Sequence, residues 1–479
     1  MNIFKFIKKL TFLGILFLVT SCARVDPVEP TPTDTTETLN FYALNDFHGA
    51  IENKPDKQTG ISRIGKYLMD EKAKNPNNTI IISSGDMWQG SVDSNLNKGA
   101  LLTDIMNTIG FDSITIGNHE FDWGEDAIRN NKAKMQFPLL ACNIFYKGTE
   151  TRPDYLSPYT TITKGNIKIG IIGAVKENIG VDILRSVSNL FDYRKPNEYI
   201  KKYSDILFTN ENCDAVILST HDSDYSGYLD TTLVSTVSNR IYLDGIFLGH
   251  DHQVYNGDEN NVPYVEGGSN GKMISNITLK VKSHKVTESY GEVINTLENC
   301  NSTSSEIDAV YDGYKPEIDR IKNTIIGKTS VALSKPELGA IASKSIIYYI
   351  NNHQDEFNYK VDYAEVNSGG TRNTIEAGNV TYGMIYQVFP FDNNIVEADL
   401  DEAGLAAYKS YDGNYSYTLN EPKVDTDGLY HIGTINYVSE IYDGKGVNKS
   451  RTYSPTLLRD AIVEAISKNY IDEIKPIVD

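Results

Sequence analysis

Histidine is scarce in this chain, with eight residues in 479, and cysteine is scarcer, with four. Apart from Cys22 the cysteines are Cys142, Cys213 and Cys300, an odd number at wide spacing, which is no disulfide framework. Cys142 and Cys213 lie in or beside apolar runs and are expected as buried thiols. Basic residues are also in deficit: 45 Lys+Arg against 64 Asp+Glu leave a formal charge of −19. That balance argues against polymeric nucleic acid as a partner, because phosphate backbones select basic surfaces. Small anionic substrates stay open, since bound metal ions supply local positive charge. The apolar run Leu10 to Val19 is too short to span a bilayer, which takes about 20 residues. No internal repeat is visible.

The N-terminus reads as targeting rather than fold. Lys5, Lys8 and Lys9 precede the apolar run, as in a signal peptide. Val19-Thr20-Ser21-Cys22 then resembles a bacterial lipobox, so residues 1–22 are expected to be a lipoprotein signal peptide with lipidation at Cys22. Residues 23–38, rich in Pro, Thr and acids, cannot bury a core and read as a flexible tether. The remaining chain, about 440 residues, predicts two domains.

Strand-like and helix-like stretches alternate from Leu39 to about Asn299. Strands are predicted at 39–44, 79–82, 113–116, 167–172, 215–220 and 245–248, and helices at 61–73 and 100–109. This is an α/β alternation. Residues 301–326 carry a helical stripe (Ile307, Val310, Tyr311, Tyr314, Ile318, Ile321), with Pro316 expected to bend it, and read as a connecting helix. A second α/β or α+β unit follows over 327–479.

The few histidines are concentrated. Five belong to a set that reads in order: Asn45-Asp46-Phe47-His48-Gly49, then Gly85-Asp86, then Gly117-Asn118-His119-Glu120-Phe121-Asp122, then His221, then Gly249-His250-Asp251-His252. Each falls just after a predicted strand, where open α/β sheets gather ligand sites. Imidazole and carboxylate are ligands for divalent transition metals. Asp46 and His48 are two apart and can face one way, Gly85 allows Asp86 to sit between two ions, and Asn118 offers an amide oxygen. Two such ions, about 3.5–4 Å apart, can acidify a shared water and clamp phosphoryl oxygens. His119 suits another role: Asp122 can orient its ring and keep it protonated, as an acid or charge stabiliser.

These motifs resemble those of the bacterial 5′-nucleotidase family, extracytoplasmic calcineurin-like metallophosphoesterases with a C-terminal 5′-nucleotidase domain. The resemblance covers nearly all of residues 39–470. It implies a four-layer α-β-β-α metallophosphatase sandwich over 39–300, joined by the helix to a smaller C-terminal α/β substrate-binding domain over 327–479. It implies two divalent metal ions (Zn, Mn, Fe or Co), one held by Asp46, His48, Asp86 and His252, the other by Asp86, Asn118, His221 and His250. His119 and Asp122 would be the catalytic dyad. In Asn367-Ser368-Gly369-Gly370-Thr371-Arg372 the glycine loop and Arg372 would bind substrate, with Asn367, Gly369 and Gly370 on the loop. In Val388-Phe389-Pro390-Phe391-Asp392-Asn393, Phe391 would stack on the base and Asn393 would join it. The chain departs from the family twice. Ser334-Lys335-Pro336-Glu337 offers Lys335 where the family has an arginine, and Tyr442-Asp443-Gly444-Lys445-Gly446-Val447 has no aromatic after its glycines, leaving Tyr442 as the substitute.

The implied activity is hydrolysis of nucleoside 5′-monophosphates by a membrane-anchored lipoprotein on the cell surface or periplasmic face. The alternatives are UDP-sugars, 2′,3′-cyclic nucleotides or non-nucleotide phosphate monoesters at the same site, or a lipoprotein that binds nucleotides or a host partner without turnover.

Overall fold

The structure, a computed structural model, describes residues 36–183, 185–228 and 241–476. The expected signal peptide, Cys22 and nearly all of the expected tether lie outside the described residues; the first strand begins at Glu37, inside the span expected as tether. Two six-stranded sheets form the centre of the N-terminal half. One orders its strands Lys285–Asn295, Met273–Lys282, Glu37–Leu44, Thr79–Ser83, Ser113–Thr115, Leu139–Leu140. The other runs Val254–Glu259, Val262–Gly267, Gly245–Phe247, Ala215–His221, Ile167–Val175, Tyr159–Lys164.

Side-chain alternation sets the layers. Along Glu37–Leu44, Leu39, Phe41 and Ala43 join Ile80, Ile82, Ile171, Ile217 and Phe247 in the core between the sheets. Their neighbours Tyr42 and Leu44 point the other way, with Ile81, onto the helices Ile61–Lys74 and Ala100–Ile109, through Ile61, Ile64, Leu68, Leu101 and Ile105. The second sheet turns Ile172, Val216, Leu218 and Ile246 onto Ile200 and Leu207 of the helix Pro196–Thr209. The result is four layers, helix, sheet, sheet, helix. Each fully buried aliphatic or phenyl side chain contributes about 1.5–3 kcal/mol. Cys142, Cys213 and Cys300 are buried thiols in these cores.

The connecting segment folds as the helix Ser305–Lys322, capped by the Ser304 hydroxyl, which accepts from the Ile307 amide, and it contains Pro316. Ile307 and Ile318 seat it on the N-terminal core, and the strand Ile325–Thr329 begins within the span expected as helix. Beyond it a smaller α/β unit has a five-stranded sheet ordered Asn414–Thr418, Tyr363–Asn367, Tyr430–Ile435, Asn394–Leu400, Ser450–Leu457, with its own core around Ile346, Ala364, Leu400 and Ile462. Among the described residues, no helix is long and apolar enough to cross a membrane.

Candidate active site and metal centre

Each histidine motif begins where a strand runs out. Asp46 and His48 follow Glu37–Leu44, Asp86 follows Thr79–Ser83, and Asn118 and His119 follow Ser113–Thr115. From the second sheet, His221 ends Ala215–His221, and His250 and His252 follow Gly245–Phe247. The backbone bends sharply to bring them together. Asp46, His48, Asp86, His250 and His252 have φ of 45°, 51°, 55°, 94° and 64°. Non-glycine residues avoid this region at a cost of order 1–3 kcal/mol each, and such strain gathers at functional sites. Two glycines allow the loops to close: a Cβ on Gly85 (φ 96°) would lie 2.8 Å from His221 Nδ1, and one on Gly117 would lie 2.1 Å from Asp86 Oδ1.

The expected ligands fall into two groups that share Asp86. In the first, Asp46 Oδ1 is 3.4 Å from His252 Nε2 and 4.0 Å from His48 Nε2, and the two Nε2 atoms are 3.0 Å apart. In the second, Asn118 Oδ1 lies 3.1 Å from both His221 Nε2 and His250 Nδ1. Asp86 Oδ2 faces both groups, 3.2 Å from His221 Nε2 and 4.0 Å from His48 Nε2. Asp46 and Asp86 are buried.

Hydrogen bonds behind the rings fix which nitrogen faces inward. His48 Nδ1 is 2.9 Å from the Gln89 carbonyl and His221 Nδ1 is 2.8 Å from the Ser84 carbonyl. A carbonyl only accepts, so Nδ1 carries the hydrogen in each case and Nε2 is the nitrogen turned toward the carboxylates. Buried carboxylates gathered this closely need positive charge beside them, from protonated imidazole or from a metal ion. The field agrees. Burial would raise Asp86, but His221 and His119 hold its carboxyl well below the usual range. Burial would lower His221, but Asp86 and Asp46 push it up to about 10. A donor set of imidazoles, carboxylates and one amide oxygen in such a field fits divalent transition ions.

His119 is within ligand reach of His48 and Asp86, yet its ring is engaged elsewhere. Its Nδ1 is 2.9 Å from Asp122 Oδ2, and its backbone N–H donates to Asp86 Oδ1 at 2.9 Å. Burial would lower its pKa, but Asp122 and Asp86 push it up to about 9.

The C-terminal half supplies the opposite wall. The Phe391 ring lies 5.7 Å from the His119 ring at 30°, and the Arg372 guanidinium stands 5.1 Å from the Phe391 centroid. With Asn367, Gly369 and Asn393 they line a cavity of about 340 Å³ that reaches Asp86 and His119. Gly370 is not part of that lining; it is buried behind the Asn367 side chain. Lys335 lines an adjoining cavity of about 430 Å³, which shares His252 and Arg372 with the first and also holds His48, Lys54, Lys57 and Lys272.

Tyr442 does not substitute for the missing ring: it is buried against Tyr408, with centroids 3.8 Å apart, inside the C-terminal core. Tyr437 lines the Phe391 cavity instead. The sequence reading passed over it, although it stands two residues beyond the strand Tyr430–Ile435. Other supporting residues were also missed. Buried Glu120 accepts from the amides of Asp86, Met87 and Gly117 at 2.9, 2.8 and 2.7 Å and so holds the Asp86 loop. Asn45 donates to Asp46 Oδ2 at 2.7 Å, and Asp182 Oδ2 is 3.5 Å from His250 Nε2. Arg459, 2 % exposed, pairs with Asp392 and donates to the Phe389 and Phe391 carbonyls, while Asn95 donates to the Pro390 carbonyl at 2.9 Å. Glu120 and Asn45 sat inside the quoted motifs; Arg459 carried no sequence signal.

Comparison with known proteins agrees with this geometry. Residues 39–254 match the calcineurin-like phosphoesterase family, and residues 325–401 match the 5′-nucleotidase C-terminal domain. A 5′-nucleotidase of Vibrio parahaemolyticus is 25% identical over 543 residues, covering 98% of this chain and 95% of that protein. An endonuclease of Bacillus subtilis is 24% identical over 76% of this chain, which spans only 32% of that longer protein. Among solved structures, a 5′-nucleotidase precursor from Thermus thermophilus superposes with a TM-score of 0.73 at 16% identity, covering 92% of this chain and 98% of that one, and so shares the fold.

Proposed function

Because this chain belongs to the calcineurin-like metallophosphoesterases that carry a 5′-nucleotidase C-terminal domain, and is a phosphoric ester hydrolase, we propose that it removes phosphate from nucleoside 5′-monophosphates outside the cytoplasm. One observation carries the reading: the Phe391 ring stands 5.7 Å from the His119 ring in a cavity of nucleotide size. A base against Phe391 and Tyr437 puts its 5′-phosphate toward Asp86 and the leaving oxygen toward His119. Asp46, His48, Asp86 and His252 would hold one divalent ion, and Asp86, Asn118, His221 and His250 the other. Bound there, the ions supply Lewis-acid charge for the phosphoryl oxygens and lower the pKa of a water. His119, held protonated by Asp122, delivers a proton to the departing 5′-oxygen. Arg372 grips an anionic oxygen and covers the site from the C-terminal side.

Attachment to the membrane through Cys22 is part of the same proposal, and it rests on the lipobox-like string alone. A second reading keeps the site and changes the substrate to a phosphodiester or diphosphate such as a UDP-sugar. The cavity beyond His48 and His252, with Lys54, Lys57, Lys272 and Lys335, favours it by giving room and charge to a second substituent on phosphorus. The test is phosphate release from AMP, UMP and ribose 5-phosphate, and release of UMP and sugar 1-phosphate from a UDP-sugar, by the chelator-treated protein, with Zn²⁺, Mn²⁺, Fe²⁺ and Co²⁺ restored separately. Turnover of the monophosphates that returns with metal is expected. Cleavage of the UDP-sugar alone would select the second reading, and no turnover with any metal would leave a binding protein.

A further inference from the structure

The sheet of the C-terminal half carries another cluster of metal-type donors, away from the strand ends just described. Glu397 and Asp399 lie two apart on Asn394–Leu400 and so share a face, and His431 sits directly across from Asp399 on the paired strand Tyr430–Ile435. All three are buried, at 0, 7 and 5 % exposure. His431 Nδ1 is 2.7 Å from Asp399 Oδ1 and 4.0 Å from Glu397 Oε1. Glu397 Oε2 accepts from the Asn358 amide at 2.8 Å, whereas Oε1, aimed at the imidazole, has no hydrogen-bond partner. A buried carboxylate oxygen left that way is costly.

The surrounding charges do not relieve it. Asp427 faces the other ring nitrogen of His431 at 3.4 Å, which makes three carboxylates around one imidazole. Lys449 and Arg451, the cations on the adjoining segment, pair with Asp401 and Asp443 at 2.7 and 3.1 Å. Asp399 accepts from the Ser450 hydroxyl, and the Tyr359 ring stacks on His431 with centroids 3.7 Å apart. The ring is therefore fixed in place with Nδ1 turned to Glu397 and Asp399.

We propose that Glu397, Asp399 and His431 form a further metal site, for a divalent transition ion such as Zn²⁺ or Mn²⁺, independent of the centre at the strand ends. Donors bound about 2.1 Å from one ion stand roughly 3.0 Å apart at a right angle and roughly 4.2 Å apart when opposed. The 4.0 Å separation falls within those limits, and the 2.7 Å hydrogen bond between His431 Nδ1 and Asp399 Oδ1 has to open by only about 0.3 Å to reach them; the expected ligands at the strand ends show 3.0 to 4.0 Å spacing. On binding, the Nδ1 proton passes to solvent and both carboxylates stay ionised. The ion would tie Asn394–Leu400 to Tyr430–Ile435, and the first of these strands continues directly from the Phe391 loop. The ion therefore braces the strand that follows the Phe391 loop.

The test uses the full chain with Asp86→Ala, which weakens the other centre, and the same chain with Asp399→Asn or Glu397→Gln added. Each is stripped with chelator, reloaded with Zn²⁺ or Mn²⁺, and measured for metal content and for the metal-dependent rise in Tm. The added substitution should cost one further equivalent and reduce the remaining metal-dependent rise in Tm, while Asp399→Asn alone keeps phosphate release. Equal metal content and equal Tm response overturn the site, and so does loading by Ca²⁺ in place of Zn²⁺ and Mn²⁺, which would exclude the imidazole. If neither variant folds, anomalous scattering from wild-type crystals grown with Zn²⁺ decides: a peak at bonding distance from His431 Nδ1 supports the site, and its absence overturns it. Failure of the reading at the strand ends would appear separately, as Asp86→Ala holding as much metal as wild type.

Discussion

Replacing Asp122 by Asn tests the role of His119 while leaving the expected ligands intact. In the wild type His119 Nδ1 donates to Asp122 Oδ2 at 2.9 Å, and the ring is pushed from 6.5 up to about 9, against the pull of burial, by Asp122 and Asp86. That net shift corresponds to roughly 3 kcal/mol between the two protonation states, and more has been spent against desolvation. Asn keeps the shape and removes the charge, so the imidazolium loses its nearest anion and its pKa falls. If the acid form is the working form, a raised pKa extends activity to higher pH. Its loss must then move the alkaline limb of kcat/KM to lower pH, by about 1–2 units if Asp122 carries half or more of the shift. Metal ions near the ring lower the limb in wild type and variant alike, so the difference between the two profiles is the quantity to read. His119→Ala should cost about 10²–10⁴ in kcat for AMP, the usual contribution of a general acid. It should cost far less for p-nitrophenyl phosphate, whose leaving group departs without a proton. An unmoved alkaline limb in Asp122→Asn, or equal losses on both substrates in His119→Ala, would refute the assignment.

Asp86→Ala should lose at least one metal equivalent and most activity, because its Oδ2 faces both donor groups, whereas His119→Ala should keep its metal; elemental analysis beside phosphate release separates them. Gly117→Ala should lower kcat by about 10² with the fold retained, because the new Cβ meets Asp86 Oδ1 at 2.1 Å and displaces it; a wild-type rate would show that Asp86 need not stay where it is. Phe391→Ala and Tyr437→Ala should each raise KM for AMP and UMP about tenfold or more, as the loss of base stacking costs about 1–3 kcal/mol, and leave ribose 5-phosphate nearly unchanged; equal effects on all three would remove the base from that cavity. Cys22→Ser should release the protein from the membrane fraction, and unchanged fractionation with no lipid on the native Cys22 would end the anchoring proposal.

What the sequence could show, and what it could not, follows from how each signal is encoded. Period-two and helical patterning made Ile61–Lys74, Ala100–Ile109 and the strands before each histidine motif readable, because burial on one face writes itself into the chain. The antiparallel pair Met273–Lys282 and Lys285–Asn295, by contrast, closes the first sheet from far along the chain and has no motif to mark it. At the site, the residues that offer donor atoms to the shared centre were legible as a set because imidazole is scarce. Those that support the set were harder to see. Glu120 serves by accepting three amides, and an acidic residue in a turn looks the same whether it binds backbone or water. The missing ring shows the limit of reading by fixed offsets. The family pattern pointed past Tyr442, which packs on Tyr408 in the core, while Tyr437 reaches the cavity from the start of the helix Asn436–Asp443. Two tyrosines five residues apart on a short helix face different ways, and only packing decides which one lines the cavity. The left-handed backbone at five expected ligands was equally silent in the sequence, since Asp and His carry no preference strong enough to announce it. The strain is tolerated because buried strand ends and the amides held by Glu120 fix the loops from behind. That support makes the residues behind the ligands as decisive for the geometry of the centre as the ligands themselves.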